Sequence, residues 1–112
     1  MPTDPALLAL LRDLRQRLGD LYGDRLVRAV LYGSHARGDA APDSDVDVLV
    51  VLRGEVNVMR EDRRASEVSY DLWEQTGTDV HLLPLPESRF GAELDPLVMN
   101  VRAEGTDLSA LA

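Results

Sequence analysis

The segment from Val46 to Leu52 constrains the fold more than any other part of the chain. Six of its seven residues are aliphatic and four of these are valine, so both alternating faces are apolar. Such a segment is typical of a strand in the middle of a covered sheet. Asp47 is its one polar residue and lies at its start. We therefore expect a buried central strand with a carboxylate at its entrance.

Helical and strand periods on either side of this strand predict one layered α/β domain over residues 1–112. A chain of 112 residues is long enough for one hydrophobic core and too short for two. The predicted order is a helix with leucines at 7, 8, 11, 14, 18 and 21, a strand over 26–32, a short helix, the strand over 46–52, a helix over 59–75, a strand over 78–83 and a helix over 87–103.

Glycine and proline predict where the later elements end. Gly77 is expected to end the helix over 59–75, in which Trp73 extends the buried stripe. Pro84 and Pro86 are expected to terminate the strand over 78–83. Pro96 is expected to kink or split the last helix, because proline lacks the N–H that a helix interior uses.

Charge and composition exclude several classes of protein. Twelve basic against twenty acidic residues give a net charge of −8, which repels phosphate backbones, so we do not expect general nucleic-acid binding. All the basic residues are arginine, so a Walker A lysine is absent, and the lack of cysteine excludes disulfides and thiolate metal sites. With neither a leader pattern nor an apolar run near the roughly 20 residues of a membrane span, we expect a cytoplasmic protein without membrane contact.

A cluster of acidic residues precedes and enters the central strand. Between Asp39 and Asp47 the chain has four aspartates and no basic residue. Asp45 and Asp47 are separated by one residue, so their carboxylates project from the same face, roughly 6.5 to 7 Å apart along the chain. Oxygen ligands of this kind suit magnesium or manganese better than zinc. The alternative is a pair of solvated loop aspartates.

Ser34 follows the first strand and stands with ten residues between it and Asp45. A helix beginning there would offer backbone N–H groups and a hydroxyl to a phosphate, and Gly33 would let that phosphate approach the backbone. A phosphate site beside a metal site suits a nucleoside triphosphate. For Ser34 alone, an ordinary helix N-cap is an equally good interpretation.

Two other kinds of site are set aside. Asp43, Asp45 and Asp47 occupy the first, third and fifth places of an EF-hand calcium loop. That loop requires glycine at the sixth place and glutamate at the twelfth, where this chain has Val48 and Gly54. A serine hydrolase is disfavoured because no G-x-S-x-G elbow occurs.

The combined pattern resembles a family signature. The sequence reads Gly33-Ser34, ten residues, then Asp45-Val46-Asp47, with Ala36-Arg37-Gly38 between and Val48-Leu49-Val50 following. It resembles the signature of the minimal nucleotidyltransferases of the polymerase-β-like superfamily, and residues 96–105 resemble their closing helix. This resemblance implies a small mixed β-sheet covered by helices, the fold of the polymerase-β-like palm.

The same resemblance implies a metal site and its chemistry. It implies two divalent ions, Mg²⁺ or Mn²⁺, held by Asp45 and Asp47, with a third carboxylate on a later strand. Asp79 is the candidate for this third carboxylate, and His81, which alternation places on the same face, competes with it. One ion would activate an acceptor hydroxyl and the other would stabilise the leaving pyrophosphate.

The resemblance also implies how ATP is bound. Gly33 and Ser34 would grip the triphosphate, and Arg37 would neutralise part of its charge. His35 is expected to face solvent.

The acceptor is expected on another chain, because the residues after Asp47 suffice only to complete the sheet and its helices. The smallest members of the resembled family are paired with HEPN-domain ribonuclease toxins and act as antitoxins by transferring AMP from ATP to a toxin tyrosine. Two alternatives stay open: a non-catalytic antitoxin that works by binding, and a nucleotidyltransferase acting on a small molecule such as an aminoglycoside. A homo-oligomer is compatible with the sequence.

Overall fold

A four-stranded mixed sheet forms the centre of the protein. The computed structural model describes residues 2–41, 43–91 and 95–111. The strands are β1 (Leu26–Tyr32), β2 (Val46–Leu52), β3 (Val80–Pro86) and β4 (Thr106–Asp107), in the spatial order β3-β2-β1-β4. β1 runs antiparallel to β2 and β4, whereas β2 and β3 are parallel. The mixed sheet and the central position of β2 are confirmed.

Helices cover both faces of this sheet. They are α1 (Pro5–Tyr22), α2 (Ser34–Arg37), α3 (Val58–Thr76), α4 (Glu87–Phe90) and α5 (Pro96–Glu104), with 3-10 turns at Gly23–Arg25 and Leu108–Ala110. No helix in the described part of the chain is long and apolar enough to cross a membrane.

The alternation of side chains along β2 divides the interior into two cores. Val46, Val48 and Val50 point into the larger core, which α1 and α3 cover with Leu11, Leu14, Leu18, Ala65 and Leu72. Leu49 and Val51 point to the opposite face, where they pack with Val101 of α5. Burying such aliphatic side chains contributes about 1.5–3 kcal/mol each, so β2 is held from both sides.

Helix ends follow ordinary capping chemistry. Asp4 accepts a hydrogen bond from the Ala6 N–H at 3.1 Å, and Pro5 occupies the first turn of α1. At the end of α3, Gly77 adopts a positive φ of 74° and its N–H donates to the Trp73 carbonyl. The expected stop at Gly77 is confirmed.

The region around β3 and the last helix differs from expectation. β3 continues through Pro84 to Pro86, so the prediction that these prolines terminate the strand is wrong. Among the described residues β3 pairs with β2 alone and so lies at the edge of the sheet, and an edge strand tolerates a residue without an N–H. The last helical region is divided as Pro96 suggested: α5 begins at Pro96, with Asp95 as its N-cap. Residues 92–94, which the predicted helix included, lie outside the described residues.

The buried stripe of α3 also differs from expectation. Ala65 and Leu72 are buried as predicted, but Trp73 is 49% exposed, so its assignment to the core is wrong. Leu72 already fills the core position at this turn, and the next residue of a helix is rotated by about 100° away from it. Glu61, in the first turn of α3, is buried instead, with 1% of its surface exposed.

Candidate functional site

The carboxylate of Asp47 packs against the turn that leaves β1. Tyr32 is the register partner of Asp47 in the antiparallel β1–β2 pair, so the following residue, Gly33, lies beside that carboxylate. A Cβ placed on Gly33 would lie 2.7 Å from Asp47 Oδ2, closer than a side chain can approach. Gly33 also has a φ of 76°, which L residues rarely adopt. Glycine is therefore required at this position for two independent reasons.

The short helix α2 begins directly after Gly33. Gly33 is its N-cap, and the Gly33 carbonyl accepts the N–H groups of Ala36 and Arg37 at 3.1 Å. Ser34, half-buried, is the first helical residue, so it is not the N-cap. The first backbone N–H groups of a helix have no acceptor within the helix. The N–H groups at the start of α2 are therefore available as hydrogen-bond donors next to Gly33, the residue that packs against Asp47.

Asp45 and Asp79 lie at the same level of two neighbouring strands. The Val46 N–H donates to the Asp79 carbonyl at 2.9 Å, and Val46 is the register partner of Val80. Both aspartates are exposed and each stands one residue before its strand. Since Val46 and Val80 face the larger core, alternation places Asp45 and Asp79 on the opposite face, which also carries Asp47.

His81 of β3 contacts Asp47 directly. The two residues are register partners in the parallel β2–β3 pair, and His81 Nδ1 lies 3.6 Å from Asp47 Oδ1. The side chains are 66% and 29% exposed respectively, so the contact opens to solvent on the His81 side. The structure thus brings Gly33, Asp47 and His81 together at one end of the sheet.

Tyr32 belongs to this group, although the sequence analysis did not identify it. Burial raises the pKa of the Tyr32 hydroxyl, and the neighbouring Asp47 charge raises this pKa further. The signal that could have found Tyr32 is its position as the last residue of a strand that precedes the Gly33 turn.

The acidic residues provide the donor chemistry that a hard divalent cation requires. Asp47 in β2, Asp45 just before β2 and Asp79 just before β3 would offer carboxylate oxygens on one face of the sheet, which fits magnesium or manganese. Within residues 2–41, 43–91 and 95–111, no three acidic or histidine side chains already stand close enough together to hold a metal ion. The three aspartates fit a divalent cation because they carry the right kind of ligand and lie on the same face of the sheet.

Arg37 and His35 tie α2 to its surroundings. Arg37 pairs with Asp39 at 3.2 Å and with Glu104 of α5 at 3.3 Å, and these hydrogen bonds, the one to Asp39 first, raise the pKa of its guanidinium. His35 is half-buried and its Nε2 lies 3.0 Å from the Ser44 carbonyl oxygen. The expectation that His35 faces solvent is wrong, because its ring holds the loop that leads to Asp45.

Comparison with known proteins gives a family match over most of the chain. The nucleotidyltransferase domain family matches residues 11–106. Protein MJ0141 of Methanocaldococcus jannaschii, named as a candidate protein adenylyltransferase, is 29% identical over 63 residues. That alignment covers 56% of this chain and 63% of the relative, so the chain spans less than two thirds of the relative's length.

Solved structures show the same fold. A toxin–antitoxin complex with AMP-PNP contains a chain that matches with a TM-score of 0.63 at 19% identity, over 88% of this chain and 71% of that one. A complex of tri-AMPylated Shewanella oneidensis HEPN toxin with MNT antitoxin matches with a TM-score of 0.56 at 20% identity, over 90% and 71% of the two chains. At these identities the likeness concerns the fold alone. The family match over residues 11–106 carries the assignment: this chain belongs to the nucleotidyltransferase domain family.

Proposed function

We propose that the protein is a metal-dependent nucleotidyltransferase that transfers AMP from ATP to a hydroxyl of a partner protein. The observation that carries this proposal is the contact between Gly33 and Asp47, in which a turn suited to phosphate meets a carboxylate suited to a divalent cation. A nucleoside triphosphate complexed with magnesium has both of these chemical features.

The nucleotide-binding residues of this proposal are Gly33, Ser34 and Arg37. The N–H groups at the start of α2 and the Ser34 hydroxyl would donate to phosphate oxygens, and Gly33 admits the phosphate because it carries no side chain. Arg37 is 45% exposed and paired with two surface carboxylates, so it can exchange one of them for a phosphate oxygen at little cost.

The metal-binding residues are Asp45, Asp47 and Asp79, which would hold two Mg²⁺ or Mn²⁺ ions. Such ions, when bound, neutralise the triphosphate and acidify an acceptor hydroxyl. Asp79 would accept the proton that the acceptor hydroxyl loses. The acceptor oxygen then bonds to the α-phosphorus as the bond to the bridging oxygen of the β-phosphate breaks, and pyrophosphate leaves.

The acceptor in this proposal is a tyrosine of a HEPN ribonuclease toxin, and the protein acts as the antitoxin. Support comes from the candidate protein adenylyltransferase to which the chain is similar and from the fold that it shares with a chain of the complex between tri-AMPylated HEPN toxin and MNT antitoxin. The reaction consumes ATP, which agrees with the cytoplasmic location expected from the sequence.

Intact-mass measurement tests this function. The protein encoded beside this chain is incubated with it, ATP and magnesium, and we expect that protein to gain the mass of one or more AMP groups. The variant Asp45→Asn with Asp47→Asn should fold normally and transfer nothing. Asp43→Asn is the matched control, since Asp43 is an exposed aspartate of the same cluster. Undiminished transfer by the double variant contradicts the site, and neutralisation of the toxin without any added mass indicates an antitoxin that acts by binding.

A further inference from the structure

A basic cleft lies on the sheet face that carries Asp47. It has a volume of about 380 Å³ and is enclosed by β1, β4, α4 and α5. Its lining includes Arg28, Val30, Phe90, Val101, Arg102 and Asp107. Two arginines thus line one cleft of a protein whose net charge is −8.

The two arginines have no carboxylate partner within the described ranges 2–41, 43–91 and 95–111, whereas Arg25, Arg37 and Arg89 each form an ion pair there. The Arg28 guanidinium lies 5.2 Å from the centroid of the Phe90 ring, so its nearest aromatic neighbour is a wall of the cleft. Both arginines line the cleft, and within the described residues neither of them is neutralised by an ion pair.

The one carboxylate in the lining, Asp107, is already engaged. Its Oδ1 accepts the Ser109 N–H at 2.9 Å and the Ser109 hydroxyl at 2.8 Å, and so caps the 3-10 turn that follows β4. Asp107 reduces the positive charge of the cleft without neutralising both arginines. The cleft retains the character of an anion site with apolar walls.

The cleft and the transfer site are connected by β1. Arg28, Val30 and Tyr32 alternate onto the same face, and the register from Arg28 to Tyr32 is continuous. Tyr32 is the register partner of Asp47. Four residues of an antiparallel strand span about 14 Å, so Arg28 lies about that distance from the catalytic end of the sheet.

We propose that this cleft binds a carboxylate of the acceptor protein and thereby selects hydroxyls that lie about 14 Å from an acidic side chain. This inference rests on the proposed function, because it concerns the acceptor of that reaction. A carboxylate suits the forked donors of arginine, and Val30 and Val101 offer apolar contact to the residues beside it. A nucleic acid is disfavoured, because the acidic protein repels a phosphate backbone and the cleft offers only two cations.

Binding of two matched peptides tests the inference without ATP or metal. One acetylated, amidated peptide carries glutamate four residues before a tyrosine, the length that spans about 14 Å when extended. The other has glutamine in place of glutamate. In ¹⁵N NMR titrations we expect the glutamate peptide to shift the amide signals of Gly91 and Gly105, which line the cleft, and to bind at least about tenfold more tightly than the glutamine peptide.

Variants assign this binding to the two arginines. Arg28→Gln and Arg102→Gln should each weaken the glutamate peptide by about three- to fivefold, since both arginines are exposed, and leave the glutamine peptide unchanged. Arg15→Gln, at an exposed arginine of α1, changes the net charge equally and should have no effect. Thermal unfolding checks that the variants fold. If Arg28→Gln is unstable, Arg102→Gln tests the cleft by itself, because Arg102 forms no ion pair within residues 2–41, 43–91 and 95–111 whose loss could unfold the protein.

Three results would overturn the inference: equal affinity for both peptides, unchanged affinity in both arginine variants, or tighter binding of inorganic phosphate at the same amide signals. The double variant Asp45→Asn with Asp47→Asn should keep the peptide affinity while losing transfer. Failure of transfer in the wild-type protein therefore counts against the proposed function, and failure of peptide discrimination counts against the cleft.

Discussion

Gly33 and Asp47 are in such close contact that no side chain fits between them, since a Cβ on Gly33 would lie 2.7 Å from Asp47 Oδ2. The contact arises because Gly33 leaves β1 at the level of Asp47 in β2. It makes the position of a candidate metal ligand depend on the absence of a side chain in the neighbouring turn.

Gly33→Ala should therefore disable transfer through the displaced Asp47 carboxylate. A displacement of about 1 Å at a reacting centre costs on the order of 100-fold in rate. The backbone of Gly33, with φ 76° and ψ −156°, lies in a region essentially restricted to glycine, so alanine there adds about 1–3 kcal/mol of destabilisation. Rates of AMP transfer and urea unfolding measure the two effects separately.

Gly38→Ala is the control for backbone strain. Gly38 ends α2 with a φ of 84°, and a Cβ there would contact nothing within 4 Å. We expect Gly38→Ala to lower stability while changing the transfer rate less than about tenfold, since it leaves Asp47 in place. Equal loss of transfer in both alanine variants would show that strain in α2, and not contact with Asp47, controls the rate.

The proposed third metal ligand is tested by comparing Asp79 with His81. Asp79→Asn should lower transfer by about 100-fold or more and raise the magnesium concentration needed for half-maximal rate, because it would remove a carboxylate from the proposed cation site. His81→Gln, which removes the contact with Asp47 at 3.6 Å, should cost less than about tenfold. A larger loss for His81→Gln would assign the role to the histidine.

Much of the fold could be predicted because the spacing of apolar residues along each segment indicates which of its faces is buried. β2 is apolar on both faces, and its central place follows from that alone. The path of β3 through Pro84 could not be predicted in this way, since whether a proline ends a strand depends on which neighbours the strand has. β4 has two residues and is defined by its pairing with β1, which no periodicity signals.

The candidate site was predictable to the extent that its residues are close in sequence. The spacing from Ser34 to Asp45 and Asp47 identified the turn and the acidic pair, and the structure places Gly33 against Asp47. The contacts of Asp47 with Tyr32 and His81 depend on strand register, which is fixed by the whole sheet. The half-buried position of His35 was not foreseen because it depends on the path of the loop that brings the Ser44 carbonyl to its ring.

The buried carboxylate of Glu61 makes the stability of the protein sensitive to Arg25. Glu61 Oε2 accepts a hydrogen bond from Arg25 Nη1 at 3.1 Å, whereas Arg64 Nη1 lies 3.6 Å from Oε1. Arg25→Ala leaves a charge that is 2% exposed with the weaker partner alone. Because Arg25 itself is 38% exposed, we expect a loss of about 2–3 kcal/mol, below the value for a fully buried pair.

Urea unfolding measures this loss of stability. Arg64→Ala is the matched control, and we expect it to lower the free energy of unfolding by less than about 1 kcal/mol. Adding Glu61→Gln to Arg25→Ala should recover part of the stability, because the uncompensated charge is then gone. If the two arginine variants lose the same free energy of unfolding, the hydrogen bond from Arg25 to Glu61 does not stabilise the protein more than the longer contact of Arg64.

Tyr22 should make the protein less stable at alkaline pH. Its hydroxyl is buried and makes no hydrogen bond of standard geometry in the described part of the chain, although the Glu61 carboxylate lies close enough to interact with it. Burial raises the pKa of this hydroxyl above its ordinary value of 10.0, and the Glu61 charge raises this pKa further. Above pH 10 the unfolded chain therefore loses a proton that the folded protein keeps, so the free energy of unfolding falls as pH rises toward the folded pKa.

Tyr22→Phe removes this group, and its effect should depend on pH. At neutral pH the free energy of unfolding should stay within about 0.5 kcal/mol of the wild type or increase, since the lost hydroxyl makes no hydrogen bond of standard geometry and its interaction with Glu61 is weak. Near pH 11, roughly one unit above the ordinary tyrosine pKa, the variant should be the more stable protein in urea unfolding. Tyr70→Phe, at a residue 60% exposed, is the control that should leave the pH profile unchanged. An equal alkaline fall in Tyr22→Phe and the wild type would place the titrating group elsewhere, first at Tyr32, whose pKa is also raised by burial.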